Sequence, residues 1–355
     1  MDLICDRDLA TLERHLCGVL DRAFAPAAGL SGPGISGLRA CIRNFVLDGG
    51  KRIRPQLCLW TYRVSGGGDP SPGVYDLACA WELFHAFLLA HDDIIDAAET
   101  RRGRRSLHRE LSLLDHGSGK FGTDLAIVAG DLLFSAALAV VHELDDLPSV
   151  AYRDVLKLFS RVASATGFGQ AIDIFAGFTP LDDVAEATLL GEYAGKTAAY
   201  TFDGPMLSGA IAAGAPAAAR DAITAFAVAL GQAYQLQNDL LDLAVPAHEG
   251  CDLLQGKRTV TLLRARSAMS DSDREHFDAR LLALPGGGGA EAVAVAESLR
   301  AKVRASGAIE DTRQLIESLL EQASNAGRRE AVPATLSAGL SGMLQSLRAR
   351  YFTVV

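Results

Sequence analysis

Alanine and leucine recur at helical spacing through most of this 355-residue chain, and this periodicity is what most limits its fold. The alternating Val/Ile/Thr pattern of β-strands is nearly absent. We therefore predict an all-α protein, with breaks at "GLSGPG", "SGGGDPSPG", "GAPAA" and "LPGGGGA". The predicted helices cover about 7–24, 35–47, 52–65, 75–98, 104–114, 122–143, 148–176, 181–211, 217–245, 256–269, 271–283, 290–305, 309–325 and 334–350.

None of these breaks is long enough to separate two domains, and no period of 20 to 50 residues repeats along the chain. Because 49% of the residues are apolar, a substantial core can form, and we predict one large helical bundle over residues 1–355. The net charge of −9 disfavours a broad electrostatic grip on nucleic acid. Any anionic ligand must then be met by a local basic cluster.

The start of the chain, "MDLICDRDLATLERHL", lacks the basic flank and apolar core of a secretory signal. The longest apolar run, "LAIVAGDLLFSAALAVV", is interrupted by Asp131 and is shorter than the roughly 20 residues that span a bilayer. Six cysteines without a CxxC pair suit buried thiols in a reducing compartment. We therefore predict a cytoplasmic protein without a transmembrane segment.

An acidic cluster ends one of the most apolar predicted helices. Asp92 and Asp96 are four residues apart and share a helix face, whereas Asp93 is rotated by about 100°. An isolated pair of this kind is more often a solvated helix end, but the preceding "WELFHAFLLAH" is apolar almost all round and indicates a buried helix. Two like charges on one face indicate a cation between them, and oxygen ligands suit magnesium that bridges to a phosphate.

A second helix carries a matching pair, Asn238 and Asp242, again four apart and again after an apolar run. Two such helices facing each other would build one cavity rimmed by metal ligands. Two basic stretches supply the complementary charge: "RRGRR" at 101–105 begins five residues after Asp96, and "DGGKRIRP" contains Lys51 and Arg54. A guanidinium group can donate two parallel hydrogen bonds to two phosphate oxygens. We therefore predict a diphosphate ester held between magnesium and arginine.

Seven motifs, in order, resemble those of the trans-isoprenyl diphosphate synthases, the polyprenyl synthetase family, over about residues 40–265: "GGKRIRP", "ELFHAFLLAHDDIIDAAETRRG", "GDLLF", "GQAIDI", "GKTAAYTF", "YQLQNDLLD" and "GCDLLQGKRT". The chain is most similar to bacterial geranylgeranyl diphosphate synthases. The resemblance implies the isoprenoid synthase fold, a helical bundle around a central cavity, and a homodimer. It also implies a prenyltransferase in which three Mg²⁺ ions and basic residues draw diphosphate off an allylic substrate, whose carbocation isopentenyl diphosphate then attacks.

The resemblance assigns roles to individual residues. The metal ligands are Asp92, Asp96, Asn238 and Asp242. Isopentenyl diphosphate is held by Lys51, Arg54, His85 and Arg102, and the allylic diphosphate by Arg101, Lys196, Gln235 and Lys257. Thr197 and Tyr200 lie where dipoles face the carbocation. Chain length is assigned to Phe84, Phe87 and Leu88; an aromatic residue five positions before Asp92 accompanies C20 products, so we predict geranylgeranyl diphosphate, with the C15 farnesyl diphosphate next.

Two departures from the family pattern keep other functions open. Asn238 replaces the usual aspartate, and the segment 242–250 is about four residues shorter and omits a turn that normally carries a lysine. A terpene cyclase also has asparagine in its second motif, but Pro246 stands where its glutamate is expected, and a cyclase needs no second diphosphate site. A third alternative, a non-catalytic partner of a synthase, is disfavoured by the intact first motif.

Overall fold

The computed structural model describes residues 3–25, 29–30, 32–101, 103–247, 251–284 and 289–352. Nearly all of its regular structure is helical, which confirms the predicted all-α class. The α-helices are α1 (Asp6–Phe24), α2 (Ile35–Leu47), α3 (Ile53–Val64), α4 (Pro72–Ile95), α5 (Leu107–Ser112), α6 (Gly119–His142), α7 (Ser149–Phe178), α8 (Glu186–Glu192), α9 (Gly204–Ala212), α10 (Ala217–Ala244), α11 (Val260–Ser267), α12 (Asp271–Ala283), α13 (Ala290–Ala305), α14 (Ala308–Gly327) and α15 (Ala334–Arg350).

Helix α4 has clear start and stop signals. The Ser71 side chain accepts a hydrogen bond from Val74 N, and Pro72 occupies the first helical position, where its missing N–H costs nothing. Buried side chains surround the helix, as its apolar sequence predicts. It ends at Ile95 because Ala97 adopts a left-handed conformation with φ 50°.

A short β-hairpin replaces the first residues of the helix predicted over 104–114. Strands β1 (Thr100–Arg101) and β2 (Arg104–Arg105) pair antiparallel, with Thr100 opposite Arg105. Gly103 has φ 75°, a conformation that glycine adopts without steric cost, and this permits the reversal. The helix prediction was therefore wrong at its start, and α5 begins only at Leu107.

The helix predicted over 181–211 is not continuous. A 3₁₀ turn (Leu181–Asp183) and α8 are followed by a π-helix (Tyr193–Asp203) that leads directly into α9. Pro205 has no amide hydrogen for the helical ladder, and the π-helix ends two residues before it. π-Helical segments are rare and occur mostly at functional sites, so this stretch is a candidate for such a role.

The residues form two compact units. The first comprises Met1–Phe159 and Gly204–Ala215, and the second comprises Ser160–Asp203 and Pro216–Val355. The core of the first includes Leu12, Leu16, Leu57, Trp81, Phe84 and Phe159. The core of the second includes Leu253, Leu262, Phe277, Leu281, Leu299 and Val303. The single domain over 1–355 stays a prediction.

Two of the described helices, α4 and α6, are long and apolar enough to cross a membrane by length and composition. In α4, 78% of the most apolar window is buried within the protein, as in the core helix of a globular domain. The corresponding share in α6 is 44%, and Ile127, Val128 and Leu132 are exposed on it. The absence of a transmembrane segment stays a prediction.

Candidate active site

The end of α4 carries the first acidic group, which we define as Asp92, Asp93 and Asp96. Asp92 and Asp96 are half-buried, whereas the Asp93 side chain is fully buried. Arg101, in β1, donates from Nε to Asp93 Oδ1 at 2.7 Å, and its Nη2 lies 3.8 Å from Asp92 Oδ2. The hairpin therefore returns a guanidinium group to the helix end that bears the carboxylates.

Asp93 and Arg101 modify each other's ionisation. Burial raises the pKa of Asp93, and the hydrogen bond and charge of Arg101 oppose that rise. Burial acts to lower the pKa of Arg101, but the hydrogen bond and charge of Asp93 outweigh it and raise that pKa. Asp93 Oδ2 is buried without a hydrogen-bond partner among the described residues. Arg101 is thus a fixed, permanently charged group beside Asp92.

The loop before α3 is fixed by a buried arginine that the sequence analysis did not select. Arg52 is 3% exposed and donates to Glu13 Oε1 and Glu82 Oε1, each at 2.8 Å, and to the carbonyl of Val46 at 2.8 Å. Of the residues predicted to hold isopentenyl diphosphate, Lys51 is exposed on this loop, Arg54 is half-buried in the first turn of α3, and His85 is buried in α4. Arg102 lies outside the described residues.

A cavity of about 660 Å³ lies in the first unit, beside the hairpin. Its lining includes Gly49, Gly50, Arg101, Arg104 and Arg105. Lys51, Arg54 and His85 are not among its lining residues. Of the predicted diphosphate ligands, the structure therefore brings Arg101 to this cavity and leaves these three outside it.

Phe84 and Phe87 belong to an aromatic cluster in the first unit. The ring centroids of Phe84 and Phe87 are 5.6 Å apart, and Phe134 of α6 lies 5.2 Å from Phe87. Phe159 lies 5.3 Å from Phe84. Phe84 is buried, whereas Phe87 and Leu88 are only half-buried. Aromatic side chains thus pack together along α4 on the N-terminal side of the first acidic group.

In the second unit, two glycines hold the π-helix close to its neighbours. A Cβ on Gly169 of α7 would lie 2.3 Å from Lys196 N, and one on Gly231 of α10 would lie 2.2 Å from the Ala198 side chain. No other residue permits such close backbone approach. Lys196 pairs with Asp173 of α7, and Tyr200 is half-buried.

A chain of hydrogen bonds links the π-helix to α10. Thr197 Oγ1 donates to Gln235 Oε1 at 2.8 Å, and Gln235 Nε2 donates to Asp239 Oδ1 at 2.8 Å. The Tyr193 hydroxyl donates to the other oxygen of Asp239 and accepts from Val260 N at 3.3 Å. Each member therefore has a fixed orientation, and the predicted residues Thr197 and Gln235 are in direct contact.

Two buried acids in this region have strongly raised pKa values. Burial and the nearby Asp252 raise the pKa of Asp239 to about 7, against the hydrogen bonds of Tyr193 and Gln235. Burial, followed by the charge of Asp173, raises the pKa of Glu192 to about 9. Glu192 is 4% exposed and is therefore protonated at neutral pH.

The second acidic group, defined as Asn238, Asp239 and Asp242, lies on α10. Asn238 and Asp242 are half-buried, as Asp92 and Asp96 are. The hydroxyl of Tyr351, just after α15, donates to Asn238 Oδ1. Asp242 Oδ2 accepts from the backbone N of Asp252 at 3.2 Å, and the Asp252 side chain lies 3.4 Å from Lys257 Nζ. Residues 248–250 of the shortened segment lie outside the described residues.

Sequence reasoning missed several residues that organise these groups. Asp93 and Asp239 stand inside the quoted motifs but were passed over because they are turned away from the shared face. Asp173 stands in "GQAIDI", where its spacing from Gly169 offered a signal. Tyr351 is remote in sequence from Asn238, to which its hydroxyl donates, so no local pattern could have identified it.

The donor set fits magnesium rather than a metal held wholly by protein. No group of three His, Cys, Asp or Glu side chains in the described ranges is arranged to hold a metal ion. Each acidic group instead offers two half-buried oxygen ligands on one helix face. Mg²⁺ commonly takes one or two carboxylates and completes its shell with water and substrate phosphate.

Comparison with known proteins places these observations in context. The profile described as Polyprenyl synthetase matches residues 36–284. The chain is 34% identical to the geranylgeranyl diphosphate synthase of Pantoea ananas, covering 67% of this chain and 76% of that protein. It is 31% identical to the short chain isoprenyl diphosphate synthase of Methanothermobacter thermautotrophicus, covering 81% and 85%.

A solved structure covers almost the whole chain. The geranylgeranyl pyrophosphate synthase of Corynebacterium glutamicum, crystallised with isoprenyl diphosphate and magnesium, is 28% identical. It superposes with a TM-score of 0.84 and covers 98% of this chain and 99% of that one. The fold is thus that of the isoprenoid synthases, as the motifs predicted.

Proposed function

The chain belongs to the polyprenyl synthetase family, and from this premise we propose that it is a magnesium-dependent, short-chain trans-prenyl diphosphate synthase that joins isopentenyl diphosphate to an allylic diphosphate. One observation carries the proposal most directly. At the end of α4, Asp92 and Asp96 stand beside Arg101, which Asp93 holds in place. Carboxylates for a metal and a fixed guanidinium for phosphate are what a diphosphate ester requires.

Asp92 and Asp96 from the first acidic group, with Asn238 and Asp242 from the second, would hold the magnesium ions, three in number as in our sequence prediction. When bound, magnesium withdraws negative charge from the departing diphosphate. We propose that both acidic groups serve this one reaction. Asn238 would contribute its amide oxygen in place of a carboxylate.

The protein's own residues bind the leaving group, exclude water and orient the substrates. Arg101, Lys196 and Lys257 hold the allylic diphosphate, whose C–O bond breaks with the electron pair leaving on the diphosphate oxygen. Lys51, Arg54, His85 and Arg102 hold isopentenyl diphosphate, whose double bond attacks the allylic carbon. The new C–C bond forms and a proton leaves for the released diphosphate, so no protein nucleophile is needed.

The dipoles of Thr197 and Tyr200 would face the allylic cation. Gln235 is oriented for a phosphate contact by its bonds to Thr197 and Asp239. Apolar walls would keep water from the cation, and the aromatic cluster around Phe84 and Phe87 supplies such a surface. Each of these roles is a proposal that single substitutions can test.

We propose geranylgeranyl diphosphate as the main product, with farnesyl diphosphate next. The basis is the aromatic cluster: at a rise of about 1.5 Å per residue, Phe84 lies about 12 Å along α4 from Asp92, and Phe87 and Leu88 lie between. A growing chain would meet these side chains. Phe87→Ala should lengthen the product by at least one five-carbon unit, whereas Phe226→Ala, in the core of the second unit, should not.

We also propose a cytoplasmic homodimer. All six cysteines are free, which supports a reducing compartment. The exposed Ile127, Val128 and Leu132 on α6 supply an apolar face that a second copy of the chain would cover. Light scattering during gel filtration tests the dimer, and Val128→Glu should shift the mass towards one chain.

Mass analysis of products tests the proposal. The enzyme with Mg²⁺, isopentenyl diphosphate and a geranyl or farnesyl primer should yield a C20 diphosphate. A hydrocarbon formed from the primer without isopentenyl diphosphate would instead identify a terpene cyclase, the function that Asn238 allows. Absence of any product from either reaction would identify a non-catalytic partner subunit.

A further inference from the structure

A tyrosine that directly follows the last helix contacts the second acidic group. Tyr351 follows α15, and its ring stacks on Tyr234 of α10, with centroids 4.8 Å apart and planes at 15°. Its hydroxyl donates to Asn238 Oδ1. Tyr234, Asn238 and Asp242 are spaced by four residues, so Tyr351 lies on the helix face that bears the proposed metal ligands.

Asparagine at position 238 needs a fixed side-chain orientation to bind a cation, whereas aspartate does not. Both oxygens of a carboxylate can bind a cation, so its orientation about the terminal bond does not matter. An amide has one acceptor oxygen and one NH₂ donor, and half a turn would direct the NH₂ towards the cation. A neutral ligand at this position is therefore useful only if something fixes its orientation.

The Tyr351 hydroxyl meets this need. It donates to the Oδ1 atom, and a carbonyl oxygen has a second lone pair with which to bind a cation. Stacking on Tyr234 holds the Tyr351 ring, and the Phe352 ring meets it edge-on with centroids 5.3 Å apart. The Tyr351 ring is thus held by its stacking on Tyr234 in addition to the hydrogen bond of its hydroxyl.

We propose that Tyr351 is a positioning residue that fixes the amide of Asn238 and so allows asparagine to serve as a magnesium ligand in the second acidic group. The inference rests on the proposed function. Residues that orient metal ligands from outside the coordination shell commonly change metal affinity by about 10- to 100-fold when removed.

The test measures binding rather than turnover. Inorganic pyrophosphate is titrated into the full-length protein by calorimetry over a series of Mg²⁺ concentrations, without isoprenoid substrate. Tyr351→Phe keeps the ring and loses the hydroxyl, and we expect it to raise the Mg²⁺ concentration for half-maximal pyrophosphate binding about 10-fold. Phe352→Leu perturbs the same segment but removes no bond to Asn238, and should change that concentration less than 2-fold.

A second background separates orientation from general damage. In Asn238→Asp the carboxylate needs no orienting partner, so adding Tyr351→Phe should shift the Mg²⁺ requirement less than 2-fold. An equal shift in both backgrounds, or no shift in either, overturns the proposal. Thermal unfolding of each variant identifies a loss of fold, which would weaken pyrophosphate binding at every Mg²⁺ concentration.

Failure of this inference is distinguishable from failure of the proposed function. A wild-type protein that forms prenyl product, with a Tyr351→Phe variant of unchanged Mg²⁺ dependence, contradicts the inference alone. A wild-type protein that neither forms product nor binds pyrophosphate with Mg²⁺ contradicts both.

Discussion

The two acidic groups share a sequence pattern but stabilise their middle aspartates differently. Asp93, in the first group, is held by the guanidinium of Arg101. Asp239, in the second, is held by neutral donors, the hydroxyl of Tyr193 and the amide of Gln235. Burial raises the pKa of both acids. The hydrogen bond and charge of Arg101 oppose the rise in the first group, whereas uncharged hydrogen bonds oppose it in the second, with a smaller contribution from the charge of Lys257.

The first residues of the two groups, Asp92 and Asn238, differ in the same way. Asp92 has a charged neighbour, Arg101 Nη2 at 3.8 Å, whereas Asn238 is neutral and is bound by the neutral Tyr351. The first group therefore places a positive charge beside its carboxylates, whereas the second has fewer negative charges. Such neutrality is consistent with the nearby acids, since Asp239, Asp242 and Asp252 lie close together and a fourth carboxylate would add repulsion.

The largest expected effect comes from making the first group resemble the second. Asp92→Asn keeps the shape of the side chain but removes the charge, and among the described residues no tyrosine donates to Asp92 in a way that would orient the new amide. We expect kcat to fall at least about 100-fold, as is common when one electrostatic contact to a leaving group is lost. Asp115→Asn, an exposed residue, is the matched control. Activity within 10-fold of wild type would show that the charge at position 92 is dispensable.

A smaller effect is expected from the middle position. Asp93→Asn removes the carboxylate that is hydrogen-bonded to Arg101, and a hydrogen bond to a charged group contributes about 1.5–3 kcal/mol. We expect KM for the allylic diphosphate to rise about 10-fold with a smaller change in kcat. Asp239→Asn, whose partners are neutral, should change KM less than Asp93→Asn does. Steady-state kinetics with both substrates shows which variant has the larger change in KM. A larger change in Asp239→Asn than in Asp93→Asn would contradict the comparison of the two acidic groups.

Sequence predicted the fold and the outer residues of each group because both depend on local spacing. The i, i+4 rule gave Asp92 with Asp96 and Asn238 with Asp242, and helical periodicity gave most helix bounds to within a few residues. The hairpin at 100–105 was missed because its arginines carry no turn signal, and Gly103 is the one residue of the segment that does. The π-helix was missed because its register depends on close contacts with Gly169 of α7 and Gly231 of α10, which lie in other helices.

The partners of the middle aspartates were beyond sequence reasoning for a related reason. Tyr193 and Asp239 meet only after the π-helix and α10 have packed together. Arg101 was assigned to the substrate, and no local pattern indicated that Asp93 would hold it. Buried polar contacts of this kind are satisfied by tertiary structure, which local patterns do not encode.

The strongly raised pKa of Glu192, in the second unit, predicts a pH effect on stability. Glu192 is faced by the acids Asp173 and Asp239 and by Lys196 and Lys257, and its pKa is about 9 against an ordinary value of 4.5. Because the folded pKa is raised, this contribution to stability is complete below about pH 4.5 and is lost as pH rises towards 9.

Glu192→Gln should remove this pH dependence. The free energy of unfolding of the variant, relative to wild type, should increase between pH 5 and 8 by at most about 1.4 kcal/mol per pH unit. Urea denaturation at pH 5, 6.5 and 8 measures this difference. Glu186→Gln, in the half-buried pair with Arg264 at the start of the same helix, is the control and should show no such upward trend. A difference that is constant with pH would mean that Glu192 ionises normally.

The smallest effect concerns how the two helices end. Helix α10 continues beyond Asp242 and is followed by an extended Val245, whereas α4 ends at Ile95, within the first group, and Ala97 just after it has φ 50°. A left-handed alanine costs about 1–2 kcal/mol, and glycine relieves this at the expense of about 0.4–1 kcal/mol of unfolded-state entropy. Ala97→Gly should therefore raise the free energy of unfolding by about 0.5 kcal/mol and leave kcat within 2-fold. Ala98→Gly, where φ is not positive, should lower it; equal losses in both variants would show that the turn into the hairpin is unstrained.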